Sequence, residues 1–166
     1  MLGDGLSNGT AVHSTARVTP MEVYERRYPL RVRRYGLRPD SAGAGTFRGG
    51  AGTVLEIELL RGTATVALLA DRSTQGPRGI EGGGDGASSL YTFLRRDGSK
   101  YVPPLVNKDQ DVPMQPGDRI ILETPGGGGF GPVSQRDPKK IAEDVGNGLF
   151  TPGAMCKALG QPNESS

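Results

Sequence analysis

The chain has 166 residues, a length that fits one domain able to bury its own core. Its formal net charge of +2 is too small to imply a polyanionic partner. With 27 glycines and 13 prolines it is rich in turns, but clear apolar runs exclude wholesale disorder. A single cysteine, Cys156, excludes an internal disulfide framework. The lone cysteine fits a reducing cytoplasm, where we expect the protein, and since no run is long and apolar enough to span a membrane we expect no membrane partner.

The first part of the chain carries an arginine-rich stretch. Residues 1–20 show no helical or strand period and predict an irregular N-terminal segment, whereas residues 21–35 predict a strand bent by Pro29. Between Glu22 and Arg38, six arginines stand against two glutamates, with three tyrosines interleaved. This composition is typical of a strand edge or a subunit interface. Nucleic acid is the alternative that we set aside, so we expect no nucleic-acid partner.

The middle of the chain reads as two hairpins and a further strand. Residues 53–60 alternate apolar and acidic side chains, and a short turn separates them from the apolar residues 63–70, so we predict a hairpin. Residues 90–96 and 99–105 predict a second hairpin, in which Asp97-Gly98 favours a type I′ turn. Another strand is predicted at residues 119–123. The long glycine-rich loop at residues 71–89 is typical of a functional or interface element.

The C-terminal part carries the helix signals. Asp137 can cap a short helix that has Pro138 in its first position and Gly146 beyond its end. A second helix is predicted from Thr151 to Gly160. No β-α-β alternation is present. The predicted fold class is therefore mainly β, with several short antiparallel strands and hairpins, long glycine-rich loops and two short C-terminal helices.

The run Gly126, Gly127, Gly128, Gly129 lies in the sequence "ETPGGGGFGP" and satisfies the spacing of a dinucleotide-binding fingerprint. However, that fingerprint requires a helix that opens at its third glycine, and here a proline follows. No Walker A sequence occurs either. Two interpretations remain: a nest of backbone N–H groups that binds an anion, or a tight turn pressed against neighbouring strands or a partner chain. We favour the turn.

Few residues are candidates for catalysis. His13 is the only histidine, so neither a metal site nor a Ser-His-Asp assembly is expected within this chain, and a solvated or hydrogen-bonded His13 is the simpler interpretation. Asp71 and Arg72 follow a predicted strand, where ligand-contacting residues often lie, although a structural ion pair explains them equally well. We keep these three residues as weak catalytic candidates. A self-contained enzyme is not expected.

Several stretches, in order, resemble the C-terminal part of the hydantoinase B/5-oxoprolinase family. The most specific are "RPDSAGAGTFRGG" (residues 38–50) and "TPGGGGFGP" (residues 124–132), and "LLADRSTQGPRGIEGG" (68–83) lies between them. The resemblance implies that residues 21–133 are a β-rich hydantoinase B-like C-terminal domain. Residues 134–166 then form a short helical tail. Family members work with a hydantoinase A-like partner and use ATP to open cyclic amides or to carboxylate ketones.

The resemblance also implies a role for the chain. We expect a small subunit of a multisubunit ATP-dependent carboxylase that acts on a ketone such as acetophenone, completing the fold of a hydantoinase B-like large subunit. ATP and bicarbonate would be used by the complex, a divalent metal would lie in the partner subunits, and this chain would bind none of them alone. Its partners would be hydantoinase A-like and hydantoinase B-like large subunits in an obligate hetero-oligomer. The alternatives are the same role in a 5-oxoprolinase or hydantoinase, and a stand-alone β-rich anion-binding module.

Overall fold

The computed structural model describes residues 3–9 and 19–161, and antiparallel strands dominate that part of the chain. Five strands form one sheet in the order β1-β2-β7-β4-β5, and β3 and β6 form a second sheet. The mainly β fold class is therefore confirmed. The strands are β1 (Leu30–Leu37), β2 (Thr53–Leu59), β3 (Ala64–Leu69), β4 (Leu90–Leu94), β5 (Lys100–Tyr101), β6 (Lys108–Met114) and β7 (Arg119–Glu123). The helices are α1 (Met21–Arg27), α2 (Pro138–Gly146) and α3 (Pro152–Ala158).

The first predicted hairpin is wrong, although both of its strands exist. β2 pairs with β1 and β7, whereas β3 crosses to the other sheet and pairs with β6. The turn at Gly62, with a φ of 73°, reverses the chain but does not determine the partner of each strand. Apolar side chains of β3 and β6 pack against those of the larger sheet, so crossing lets the two sheets share one core.

The second predicted hairpin is confirmed, but its turn type is wrong. β4 and β5 pair through Leu94 and Lys100. In the turn, Gly98 has a φ of 86° and Asp97 is not among the positive-φ residues. The N–H of Gly98 donates to the carbonyl of Arg95, and Arg95 in turn pairs with Ser99. The loop therefore has three residues and closes on a left-handed glycine, a common alternative to the type I′ turn.

The strand predicted at residues 21–35 is wrong in its first half, which forms α1. Glu22 lies in the first turn of α1 and Arg26 in the last, so both charges complement the helix dipole. Pro29 is the last residue between α1 and β1, which begins at Leu30. A proline there costs no ladder hydrogen bond, since it precedes the strand.

Both C-terminal helices begin where the sequence predicts. The Asp137 carboxylate accepts a hydrogen bond from the backbone N–H of Lys139 at 2.9 Å, and the Thr151 hydroxyl accepts one from Ala154 at 3.2 Å. The predicted end of α2 is wrong by a few residues. Gly146 was expected beyond the helix but is its last residue, and the left-handed glycine is Gly148, with a φ of 70°. Among residues 3–9 and 19–161, no helix combines the length and the apolar character needed to cross a membrane.

The core consists of two separate clusters. One lies between the two sheets and contains Leu59, Phe93, Val112, Met114 and Ile120. The other lies between glycine-rich loops and the C-terminal helices and contains Ala42, Ala51, Leu149, Phe150 and Met155. The second cluster places the helices against the loops that contain the candidate site.

Candidate functional site

The predicted glycine site lies inside a layer of three glycine-rich segments, residues 41–52, 76–87 and 124–131, which we call the glycine layer. A Cβ atom placed on Gly126 would lie 2.0 Å from the carbonyl oxygen of Ser41, and one on Gly128 would lie 2.1 Å from that of Arg78. Gly127 is less tight, because its nearest neighbour would be 3.1 Å away. These backbones approach more closely than any side chain allows, which is why the segment consists of glycine.

Backbone hydrogen bonds join the segments of the glycine layer. The N–H of Gly127 donates to the carbonyl of Gly50 at 2.8 Å, and the N–H of Gly129 donates to that of Gly84 at 2.9 Å. These bonds leave at most the N–H groups of Gly126 and Gly128 for an anion. In addition, no α-helix opens at Gly131: only a single 3₁₀ turn, Val133–Gln135, follows before the next α-helix begins at Pro138. The run therefore lacks the features of a nucleotide-binding loop, and the anion or interface role of Gly126–Gly129 stays a prediction.

A buried network of ion pairs ties the glycine layer to α2. Arg136, whose side chain is 1% exposed, donates from Nη2 to Oδ2 of Asp144 at 2.6 Å and from Nη1 to Oδ1 of Asp4 at 2.8 Å. Arg48, in the glycine layer, donates from Nε to Oδ1 of Asp144 at 2.9 Å. Two guanidiniums thus neutralise two carboxylates, which is the condition under which buried charges are tolerated.

The network also changes the pKa of Asp4. Burial acts to raise this pKa, but hydrogen bonds from the Arg136 side chain and the Arg48 backbone, together with attraction to Arg136 and Lys140, lower it to about 2. The Asp4 carboxylate is therefore charged at neutral pH. It fastens the N-terminal segment to α2 and the glycine layer.

Arg38 donates to backbone carbonyls at the end of one glycine-rich segment and at the start of another. Its Nη1 donates to the carbonyl of Ser88 at 2.7 Å and to that of Thr124 at 3.1 Å. Its Nε lies 3.2 Å from Oε1 of Glu123. This arginine, one of the six in the arginine-rich stretch, therefore holds the chain together inside the molecule.

Asp71 and Arg72 form an exposed corner directly after β3. Arg72 has a φ of 64°, in the left-handed region that non-glycine residues rarely adopt. Below the corner, Asn107 is completely buried and donates from Nδ2 to the carbonyl of Asp71 and to Oγ of Ser89, both at 2.7 Å. Within the described residues, its Oδ1 is buried without a hydrogen-bond partner. Asp71 itself pairs with Lys108 at 3.2 Å. A catalytic role for Asp71 or Arg72 stays a prediction.

The catalytic candidates do not come together into one site. His13 lies outside the residues that the structure describes. In residues 3–9 and 19–161, no three His, Cys, Asp or Glu side chains lie close enough to hold a metal ion. The most organised polar cluster is instead the Arg136 network, which the sequence analysis missed. Its members lie up to 132 residues apart, and no local spacing connects them.

Residues 2–133 match the Hydantoinase B/oxoprolinase family, a stretch that includes the five-stranded sheet and the whole glycine layer. The chain belongs to this family. The resemblance identified from its glycine-rich sequences is therefore confirmed, and the family sequences that carried it, "RPDSAGAGTFRGG" and "TPGGGGFGP", are segments that pack against each other in the structure.

The chain is similar in sequence to two relatives and in fold to one solved structure. The chain is 37% identical over 132 residues to 5-oxoprolinase of Dictyostelium discoideum, covering 78% of this chain and 10% of that protein. It is 35% identical over 138 residues to caprolactamase subunit beta of Pseudomonas jessenii, covering 79% of this chain and 23% of that subunit. The nucleotide-free structure of acetone carboxylase shares its fold, with a TM-score of 0.81 and 18% identity, over 94% of this chain and 25% of that one. The chain thus spans between about a tenth and a quarter of these proteins.

Proposed function

We propose that this chain works as part of a hydantoinase B-like subunit in an ATP-dependent enzyme that acts on the carbonyl group of a small molecule. The observation that carries the proposal is the family match over residues 2–133. The named relatives support the substrate class, because 5-oxoproline and caprolactam are cyclic amides and acetone is a ketone. All three compounds carry a carbonyl oxygen that ATP could phosphorylate, which would activate an amide carbonyl towards water or trap a ketone as its enol for carboxylation.

Cyclic amides are the substrates that we place first. In the structure comparison, caprolactamase of Pseudomonas jessenii shares 29% identity with this chain and acetone carboxylase shares 18%, and in sequence 5-oxoprolinase shares 37%. We therefore place cyclic amides before ketones as substrates, the reverse of the order expected from the sequence. The enzyme would open the ring at its C–N bond with water, consuming ATP.

Carboxylation of a ketone is the second candidate. It is favoured by the fold match to acetone carboxylase, which covers 94% of this chain. In that case the substrate would be a ketone such as acetophenone, bicarbonate would be the second substrate, and the chain would be a small subunit of the carboxylase. The two candidates differ in an observable way, because only the carboxylase incorporates carbon from bicarbonate.

Within either enzyme, this chain supplies structure rather than reacting groups. Its glycine layer uses its own backbone N–H groups, and its buried charges are neutralised within the network of Arg136. The proposal therefore assigns ATP and a divalent metal to hydantoinase A-like and hydantoinase B-like partners in a cytoplasmic hetero-oligomer. The division into an N-terminal segment, a domain at residues 21–133 and a helical tail belongs to the same proposal.

The test is co-expression of the chain with hydantoinase A-like and hydantoinase B-like polypeptides, followed by assays on the purified complex. Hydrolysis of ATP would be measured with 5-oxoproline, caprolactam and hydantoin, and with acetone and acetophenone in the presence of labelled bicarbonate. We expect ATP hydrolysis that depends on a cyclic amide, without fixation of label. Fixation of label would favour the second candidate. A chain that remains alone, melts cooperatively and binds anions would contradict both and indicate a stand-alone module.

A further inference from the structure

Residues 19–37, which we call the α1–β1 flank, expose several large apolar and aromatic side chains. Helix α1 has no buried residue, although it carries large apolar and aromatic side chains. Across the whole flank, five large apolar or aromatic side chains are between 39% and 47% exposed: Val23, Tyr24, Tyr28, Tyr35 and Leu37. Exposed tyrosines and aliphatic side chains on a helix and the strand that follows it have the composition of a binding surface.

The flank is also strongly basic. It contains five arginines and two glutamates, and among the described residues only Arg33 forms an ion pair, with Glu58 of β2. Glu25 is used internally, because its Oε1 accepts the backbone N–H of Val32 at 2.8 Å. With Glu58 counted, five arginines stand against three glutamates, so the flank keeps an excess of positive charge that a partner carrying carboxylates would neutralise.

The backbone of the flank is open as well. β1 forms one edge of the five-stranded sheet and pairs with β2 on one side. Its ladder is irregular between Val32 and Arg34, a feature that blunts an edge strand against unintended pairing. Beside α1, a cleft of about 110 Å³ is lined by Thr19, Val23, Tyr24, Arg27 and Tyr28. That volume is several times the share of about 30 Å³ that one water molecule occupies.

We propose that the α1–β1 flank is the surface on which a hydantoinase B-like large subunit docks, through a patch that is apolar at its centre and acidic at its rim. An apolar side chain of the partner would enter the cleft beside α1, and carboxylates would face Arg31 and Arg34. This proposal rests on the proposed function. A hydantoinase B-like large subunit is the partner chosen, because the relatives are four to ten times longer than their match to this chain. Exposed Val23 and Leu37 favour a protein over nucleic acid, whose phosphates would leave them in water.

Site-specific photocrosslinking on the co-expressed complex tests the proposal. A benzophenone amino acid would replace Tyr24 or Tyr35 on the flank, and Glu143, exposed on α2, would be the control position. We expect both flank positions to crosslink to the hydantoinase B-like polypeptide and Glu143 to crosslink much less. Equal crosslinking at Glu143, or capture of nucleic acid or an unrelated protein at the flank, would overturn the assignment.

Affinity measurements separate this surface from the proposed function. The double variant Tyr24→Ala/Tyr35→Ala should bind the large subunit at least about tenfold more weakly, since buried tyrosines are frequent hot spots. Arg31→Glu/Arg34→Glu should also weaken binding, and by more at low salt than at high salt. If the wild-type chain binds the large subunit and both variants bind equally well, the docking surface is wrong and the proposed function stands. If the wild-type chain does not bind it, both are wrong.

Discussion

The glycine layer and the α1–β1 flank differ in which groups they offer for contact: backbone groups in the layer and side chains on the flank. In the glycine layer, backbones lie so close that a Cβ on Gly126 would be 2.0 Å from a carbonyl oxygen, and the segments are joined by their own N–H and C=O groups. On the flank, tyrosine, valine, leucine and arginine side chains extend outward, and α1 buries none of its residues. The polar backbone groups of the glycine layer therefore pair with one another inside the chain. The exposed side chains of the flank would instead find their contacts on a binding partner.

This difference indicates where substitutions act. A change in the glycine layer or in the ion pairs that support it should lower the free energy of unfolding of the chain itself. A change on the flank should leave unfolding almost unaltered and act on association. The following predictions test that division, beginning with the largest expected effect.

The largest effect is expected from Arg136→Met. The substitution leaves the buried carboxylate of Asp144 with only the Arg48 partner, and loss of one member of a buried pair costs about 3–5 kcal/mol. Urea unfolding followed by circular dichroism measures the change. The matched control is Arg119→Met, which removes a partly exposed pair with Glu56 and should cost less than about 1 kcal/mol. Equal costs for the two variants would contradict a structural role for the network.

Two neighbouring glycines should differ in their tolerance of alanine. Gly128→Ala places a Cβ 2.1 Å from the Arg78 carbonyl oxygen and should destabilise the chain by about 1–3 kcal/mol or more. Gly127→Ala meets its nearest atom at 3.1 Å and should cost less than about 1 kcal/mol. Chemical denaturation of both variants provides the comparison. If Gly128→Ala unfolds like the wild type, close packing is not the reason for the glycine run.

The network should also give the stability of the chain an acid dependence. The folded-state pKa of Asp4, about 2, lies below its ordinary value of 3.8, so the charged form is favoured by folding. Its contribution, on the order of 1 kcal/mol after solvent screening, is present above pH 4 and is lost as the pH falls toward 2. Unfolding free energies from pH 5 to pH 2 should fall less steeply in Asp4→Asn. Parallel curves for the two proteins would show that Asp4 does not couple to folding.

The smallest effect on unfolding is expected on the flank. Tyr24→Ala removes a side chain that is 39% exposed, and substitutions on a free surface are usually within about 0.5 kcal/mol of the wild type. Phe93→Ala, in the completely buried core between the sheets, should by contrast cost about 3–5 kcal/mol. Thermal unfolding of both variants would measure the difference. A large loss in Tyr24→Ala would show that the flank belongs to the core of this chain.

Local signals in the sequence predicted local structure well. The alternation in residues 53–60 and the caps Asp137 and Thr151 each depend on neighbours within a few residues, and the structure contains the strand and both caps. The pairing between strands could not be predicted from these local signals. The partners of β2 depend on which strand faces share a core and not on the nearest turn. α1 was missed because its seven residues, Met21–Arg27, are too few to show a helical period.

The candidate site was predictable only in part. The glycine sequences were sufficient to identify the family, and their close packing was one of the two interpretations that the sequence left open. The Arg136 network was not predictable, since Asp4, Arg48 and Asp144 are distant in sequence and charged residues are usually exposed. Likewise, the sequence favours a strand edge or a subunit interface for the arginine-rich stretch. β1 is an edge strand and the interface stays a prediction, but nothing in the sequence shows that Arg38 turns inward to Ser88.

The most direct test is the substrate-dependent ATPase activity of the large subunits, measured with and without this chain. We predict that the large subunits hydrolyse ATP in response to a cyclic amide only when the chain is present. The Tyr24→Ala/Tyr35→Ala variant should restore that activity only at higher concentration. Full activity of the large subunits without the chain would contradict its assignment to this enzyme, as would ATP hydrolysis by the isolated chain.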